Sequence, residues 1–151
     1  MDLLEMIEDM PMFSEFTVRE LKSFSKMDHA LEKYNKGDMI AKEGEEDLTS
    51  IYLILRGNVL IVKQGESSLI RLAKLKPGEI FGEMSYFTKK PRRSGAMAND
   101  KVVVLKMDED FFQKVRPGVR DKVKNYFISL LVNRLDAMNE SIMTISKLMR
   151  S

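Results

Sequence analysis

The segment Pro77 to Ala98, PGEIFGEMSYFTKKPRRSGAMA, concentrates the residue types best suited to chemistry in this chain. One acid, Glu83, follows Gly82 and stands nine and ten positions before two arginines, Arg92 and Arg93, which come directly after Pro91. A planar guanidinium grips two oxygens of an anion at once, each charge-assisted bond contributing about 1.5 to 3 kcal/mol. Gly82 lets the backbone approach a ligand without a side chain in the way. A short helix beginning near Glu83 would add backbone N–H groups and a positive dipole end toward the same anion. Other chemistries are short of parts. Without cysteine there is no thiol nucleophile, iron–sulfur cluster, zinc ribbon or disulfide. His29, the single histidine, precludes a metal site of two or three histidines, and no nucleophile pairs with it in sequence.

Strand alternation separates the two arginines. Ser94, Ala96 and Ala98 share the parity of Arg92 and are small enough for a pocket and barrel interior, whereas Arg93, Gly95 and Met97 would face outward. We therefore assign Arg92 to the anion and Arg93 to the mouth. Lys89 and Lys90 read as a solvated loop. Because four of the five residues from Lys89 to Arg93 are basic, a larger anionic ligand or a weakened site both stay open.

The elements that must position these residues differ in period. With 151 residues, 44% hydrophobic and 32% charged, the chain fits one ordinary globular domain. Residues 1–27 read as two short packing helices. Leu3, Leu4, Ile7 and Met10 form the first before Pro11, and Thr17-Val-Arg-Glu20 is a capping box before the stripe Val18, Leu21 and Phe24. Residues 28–107 switch to glycine-punctuated β-prone runs at 39–41, 51–55, 59–62, 69–75, 96–98 and 102–105. Their spacing predicts an antiparallel sandwich or barrel.

Residues 108–151 return to a helical period, broken at Pro117-Gly118, with a final helix from about Val119. Ile128, Leu131, Leu135, Met138, Ile142, Ile145 and Met149 alternate three- and four-residue steps, an unbroken a/d seam. Such a helix, nearly 50 Å long at 1.5 Å per residue, outreaches its own barrel. The seam is expected to face a second copy of the chain, while Phe127 and Leu130 face the barrel.

Phe81-Gly82-Glu83-Met84, the short helix through Ser85 to Thr88, and Pro91-Arg92 running to Ala98 resemble the phosphate-binding cassette of the cyclic nucleotide-binding domain. This module is shared by the catabolite activator protein, the regulatory subunits of cyclic-AMP-dependent protein kinase and cyclic-nucleotide-gated channels. The resemblance extends to Gly37, Gly44, Gly57, Gly78 and the flanking helices. It implies a mainly β fold, an antiparallel jelly-roll barrel with short N-terminal helices and a long C-terminal helix, and the cassette at residues 81–98. It also implies that Phe81, Gly82, Glu83, Met84, Ser85, Arg92, Arg93 and Ser94 surround the ligand, with Glu83 accepting from the ribose 2′-hydroxyl. Polar residues of the long helix reach the base in this family, sometimes from the other subunit; Asn139 is the candidate here, ahead of Arg134 and Asn133. The threonine that often follows the arginine in cyclic-GMP-selective members is replaced by Arg93, which favours cyclic AMP (cAMP) over cyclic GMP (cGMP).

The expectation is a non-enzymatic cyclic-nucleotide sensor, homodimeric through the last helix, with no metal or other cofactor. The alternative from another class is a degenerate pocket on an oligomerisation or protein-interaction module. A nucleic-acid patch at 89–93 ranks below both, because the net charge is only +2 and no aromatic residues interleave. The acidic start MDLLEMIEDM and the absence of a long apolar run point to a cytoplasmic protein without a membrane span. Catabolite activator relatives append a helix-turn-helix domain after the long helix; the chain ends at Ser151 without one, so the output partner and any longer parent chain stay open.

Overall fold

The computed structural model describes residues 2–150, so Met1 and Ser151 lie outside the described residues. The Asp2 carboxylate accepts from the Glu5 N–H at 2.9 Å and starts helix α1 (Leu3–Ile7), which buries Leu3 and Ile7. A 3-10 turn at Pro11–Phe13 follows, then α2 (Val18–Phe24). Its capping box closes both ways: the Glu20 N–H donates to Thr17 Oγ1 at 3.1 Å and the Thr17 N–H to Glu20 Oε1 at 2.9 Å. Phe24 is buried, but Val18 is 69% exposed, against the expected stripe. Six residues carry a helix about 120° short of two turns, so Val18 cannot share the face of Phe24.

Eight strands form two four-stranded antiparallel sheets. In order they are β1 (Leu31–Tyr34), β2 (Met39–Ala41), β3 (Ile51–Arg56), β4 (Val59–Gln64), β5 (Leu69–Leu75), β6 (Ile80–Phe81), β7 (Gly95–Ala98) and β8 (Val102–Met107). One sheet runs β1-β8-β3-β6 and the other β2-β7-β4-β5. The two are separate ladders among the described residues, the two-sheet roll expected of this antiparallel β fold, with the barrel not closed. The sheet β1-β8-β3-β6 is covered on both faces. Tyr52, Ile54 and Val104 point into the roll with Phe81, Ala96 and Ala98. Ile51, Leu53, Leu55, Leu105 and Met107 pack against Ile7, Phe13, Phe24, Phe111 and Phe127 on the helical side. A strand buried on both faces needs no polar alternation, which is why β3 reads as the continuous run IYLIL.

Asp108 caps α4 (Glu109–Lys114) by accepting from the Phe111 N–H at 2.9 Å. Helix α5 runs Pro117–Arg150. Pro117 and Gly118 lie in its first turn instead of breaking it, because a proline there removes only an N–H that has no helical partner. Val119, Val123 and Phe127 are fully buried and Leu130 packs partly against the same core. From Val132 to Arg150 only Ser146 is not exposed. No helix of the described residues is long and apolar enough to cross a membrane.

Candidate functional site

Strand β6 hydrogen-bonds to β3, placing Phe81 opposite Tyr52 with the rings stacked 4.9 Å apart. The chain then turns through Gly82 at φ +91° into a third helix, α3 (Glu83–Thr88). The turn requires glycine twice over. Its φ is left-handed, and a Cβ there would stand 2.7 Å from Arg92 Nη1 and 2.8 Å from the Ser50 carbonyl oxygen. Gly82→Ala is expected to cost roughly 1 to 3 kcal/mol in backbone strain alone, a fall in Tm of roughly 3 to 10 °C in thermal melting. An unchanged Tm would show that the left-handed turn is not needed.

Arg92 is 6% exposed and held from behind. Its Nε donates to Glu45 Oε2 at 3.2 Å and its Nη2 to the Ser50 carbonyl at 3.0 Å. The Ser50 hydroxyl donates in turn to Asp47 Oδ2 at 2.8 Å, and the Thr49 N–H to Asp47 Oδ1 at 3.1 Å. Burial works against the charge of Asp47, yet these donors hold its carboxyl below the usual carboxylate range. The Arg92 carbonyl accepts from the Gly44 N–H at 2.7 Å, tying its backbone to the same 44–50 loop. Glu83 is 5% exposed, and an unpaired carboxylate at that depth would be costly. Arg134 of α5 answers it with a direct ion pair.

Between these groups lies a cavity of about 360 Å³. Phe81, Gly82, Glu83, Met84, Ser85, Arg92, Arg93 and Ser94 all line it, over a floor that includes Ala41, Ile61, Leu75 and Ala96. Arg92, Ala96 and Ala98 are buried and Arg93 is exposed, as strand parity predicts. Gly95 departs from that parity and is buried; a Cβ there would press on Met39 Cε and the Ala41 carbonyl oxygen of β2. Asn139 is exposed on α5 and does not line the cavity; the long-helix residue that does is Arg134. Five residues rotate the helix by about 140°, so the two side chains leave on different sides. Glu45, Asp47 and Ser50 carry no sequence signal of this role, since nothing in their spacing ties the Gly44-Glu45 turn to an arginine 47 residues away. His29 is exposed, and among the described residues no three His, Cys, Asp or Glu side chains are grouped to hold a metal ion.

Residues 31–116 match the family described as the cyclic nucleotide-binding domain. The cAMP-dependent protein kinase regulatory subunit of Debaryomyces hansenii is 31% identical over 123 residues, 80% of this chain and 26% of that protein. The fold is similar to that of Thermus thermophilus catabolite activator protein, with TM-score 0.72 at 23% identity, covering 90% of this chain and 63% of that one. It is likewise similar to a cyclic nucleotide-binding domain from Methylobacillus flagellatus, with TM-score 0.71 at 23% identity over 93% and 80% of the two chains. The chain spans about a quarter of the length of the curated relatives it matches.

Proposed function

Because the chain belongs to the cyclic nucleotide-binding domain family, we propose that it is a non-catalytic receptor for a 3′,5′-cyclic nucleotide, cAMP before cGMP. The observation that carries this reading is Arg92, buried at the cavity wall with its back donors fixed on Glu45 and Ser50. A guanidinium held in place before the ligand arrives loses little freedom on binding, and its remaining donors serve the cyclic phosphate. The preference for cAMP rests on Arg93 standing where cyclic-GMP-selective members often carry threonine, and on a relative named for cAMP dependence.

Glu83 takes the ribose 2′-hydroxyl, and the Arg134 contact gives that step a consequence. A ligand that draws the Glu83 carboxylate toward the ribose competes with Arg134, so occupancy biases the position of α5. The exposed seam of α5 passes this change to a second copy of the chain. Both charged groups are nevertheless already paired, Arg92 with Glu45 and Glu83 with Arg134. This pairing favours, as a second reading, an empty interaction module in which the ion pairs only hold the fold together.

The Glu83→Gln variant tests the ribose assignment. Exchanging an ionised acceptor for a neutral one weakens the bond by about 1 kcal/mol, so the preference for cyclic AMP over 2′-deoxy cyclic AMP is expected to fall about fivefold. Titration of both ligands into both proteins reads the ratio. An unchanged ratio detaches Glu83 from the ribose.

A further inference from the structure

Four cationic side chains line the cavity, Lys90, Arg92, Arg93 and Arg134, against the single carboxylate of Glu83. Glu45 behind Arg92 offsets one more charge. Two positive charges are left, one more than a cyclic monophosphate neutralises. The excess has a definite place. Lys89, the other basic residue of this loop, is turned away by its left-handed backbone at φ +58° and sits with Nζ 4.6 Å from the Tyr86 ring centroid. Lys90 and Arg93 remain at the exposed rim, and neither side chain has an ion-pair partner among the described residues. The rim itself is tied down: Lys63 Nζ donates to the Arg93 carbonyl at 2.8 Å and pairs with Glu43 at 3.1 Å.

We infer that Lys90 and Arg93 form a second phosphate subsite at the cavity mouth, so that the site takes nucleotides bearing two phosphates, of which cyclic dinucleotides are the class. The inference rests on the proposed function, because Arg92 must hold the first phosphate. The second then lies at the exposed rim, a wetter position where binding is weaker and more salt-sensitive.

Calorimetric titration of cAMP, cyclic di-AMP and cyclic di-GMP into the wild-type chain and the Lys90→Ala/Arg93→Ala double variant tests it. Both residues are exposed, so the variant keeps its fold, which circular dichroism verifies. The expected result is a loss of about tenfold in affinity for a cyclic dinucleotide, against about threefold or less for cAMP. The salt dependence of dinucleotide binding should flatten in the variant. Equal losses for both ligand classes, or wild-type binding of cAMP without either dinucleotide, overturns the second subsite and leaves the proposed function standing. Binding of none of these three, nor of cGMP titrated beside them, overturns both.

Discussion

Arg92→Ala is expected to lose roughly two to three and a half decades of affinity for a cyclic nucleotide, taking binding below calorimetric detection. The phosphate keeps its charge inside the cavity, and removing the buried partner of such a charge costs about 3 to 5 kcal/mol. Arg92 is that partner because it is 6% exposed, lines the cavity and is backed by Glu45 and Ser50. Arg93→Ala should cost much less, since its guanidinium lies at the wet rim. The fold should survive the first change. Glu45 keeps a side-chain exposure of 35% and can turn its freed carboxylate to water. A larger loss from Arg93→Ala than from Arg92→Ala would exchange the roles of the two arginines.

Leu135→Asp combined with Ile142→Asp is expected to turn a homodimer into a folded monomer. On α5 the fully buried residues end at Phe127 and Leu130 still packs partly on the core, while Leu135 is 58% and Ile142 61% exposed in the single chain. Ile128, Met138, Ile145 and Met149 extend the same exposed heptad seam, with Leu131 half-buried beside them. An apolar stripe of this length exceeds what soluble monomers usually leave to water. Two carboxylates per helix would have to be desolvated to re-form the pair, at several kcal/mol per ion. Both positions lie outside the buried cores, so the circular dichroism spectrum should be unchanged. Light scattering reads the mass. A wild-type monomer removes the seam, and a variant that unfolds would place these residues in a core.

What the sequence made legible follows from how local each signal is. The cassette could be read because its glycine, acid, proline and arginines lie within one short span, and strand parity then separated Arg92 from Arg93. The run at Ile51 to Leu55 announced a buried strand through hydrophobicity alone. Strand β1, LEKY, escaped because it is half polar and partly exposed, and β6 because two residues carry no period. Whether the strands form a sandwich or a barrel stays open in the sequence, since ladder pairing between distant strands leaves no trace in local spacing. Asn139, beside the seam residue Met138, is exposed in the single chain, whereas Arg134 lines its cavity. Only the rotation of α5 over Glu83 decides which side chain reaches the cavity, and that rotation is set by Val119, Val123 and Phe127 locking into the core. The backing of Arg92 by Glu45 and Ser50 is likewise tertiary.

Calorimetric titration of the wild-type chain with cAMP, run beside the Arg92→Ala variant, tests the central claim most directly. The account predicts saturable binding at one site per chain that disappears in the variant. A wild-type chain that releases or absorbs no heat at any accessible cyclic-nucleotide concentration, or one whose binding survives the loss of Arg92, would contradict it.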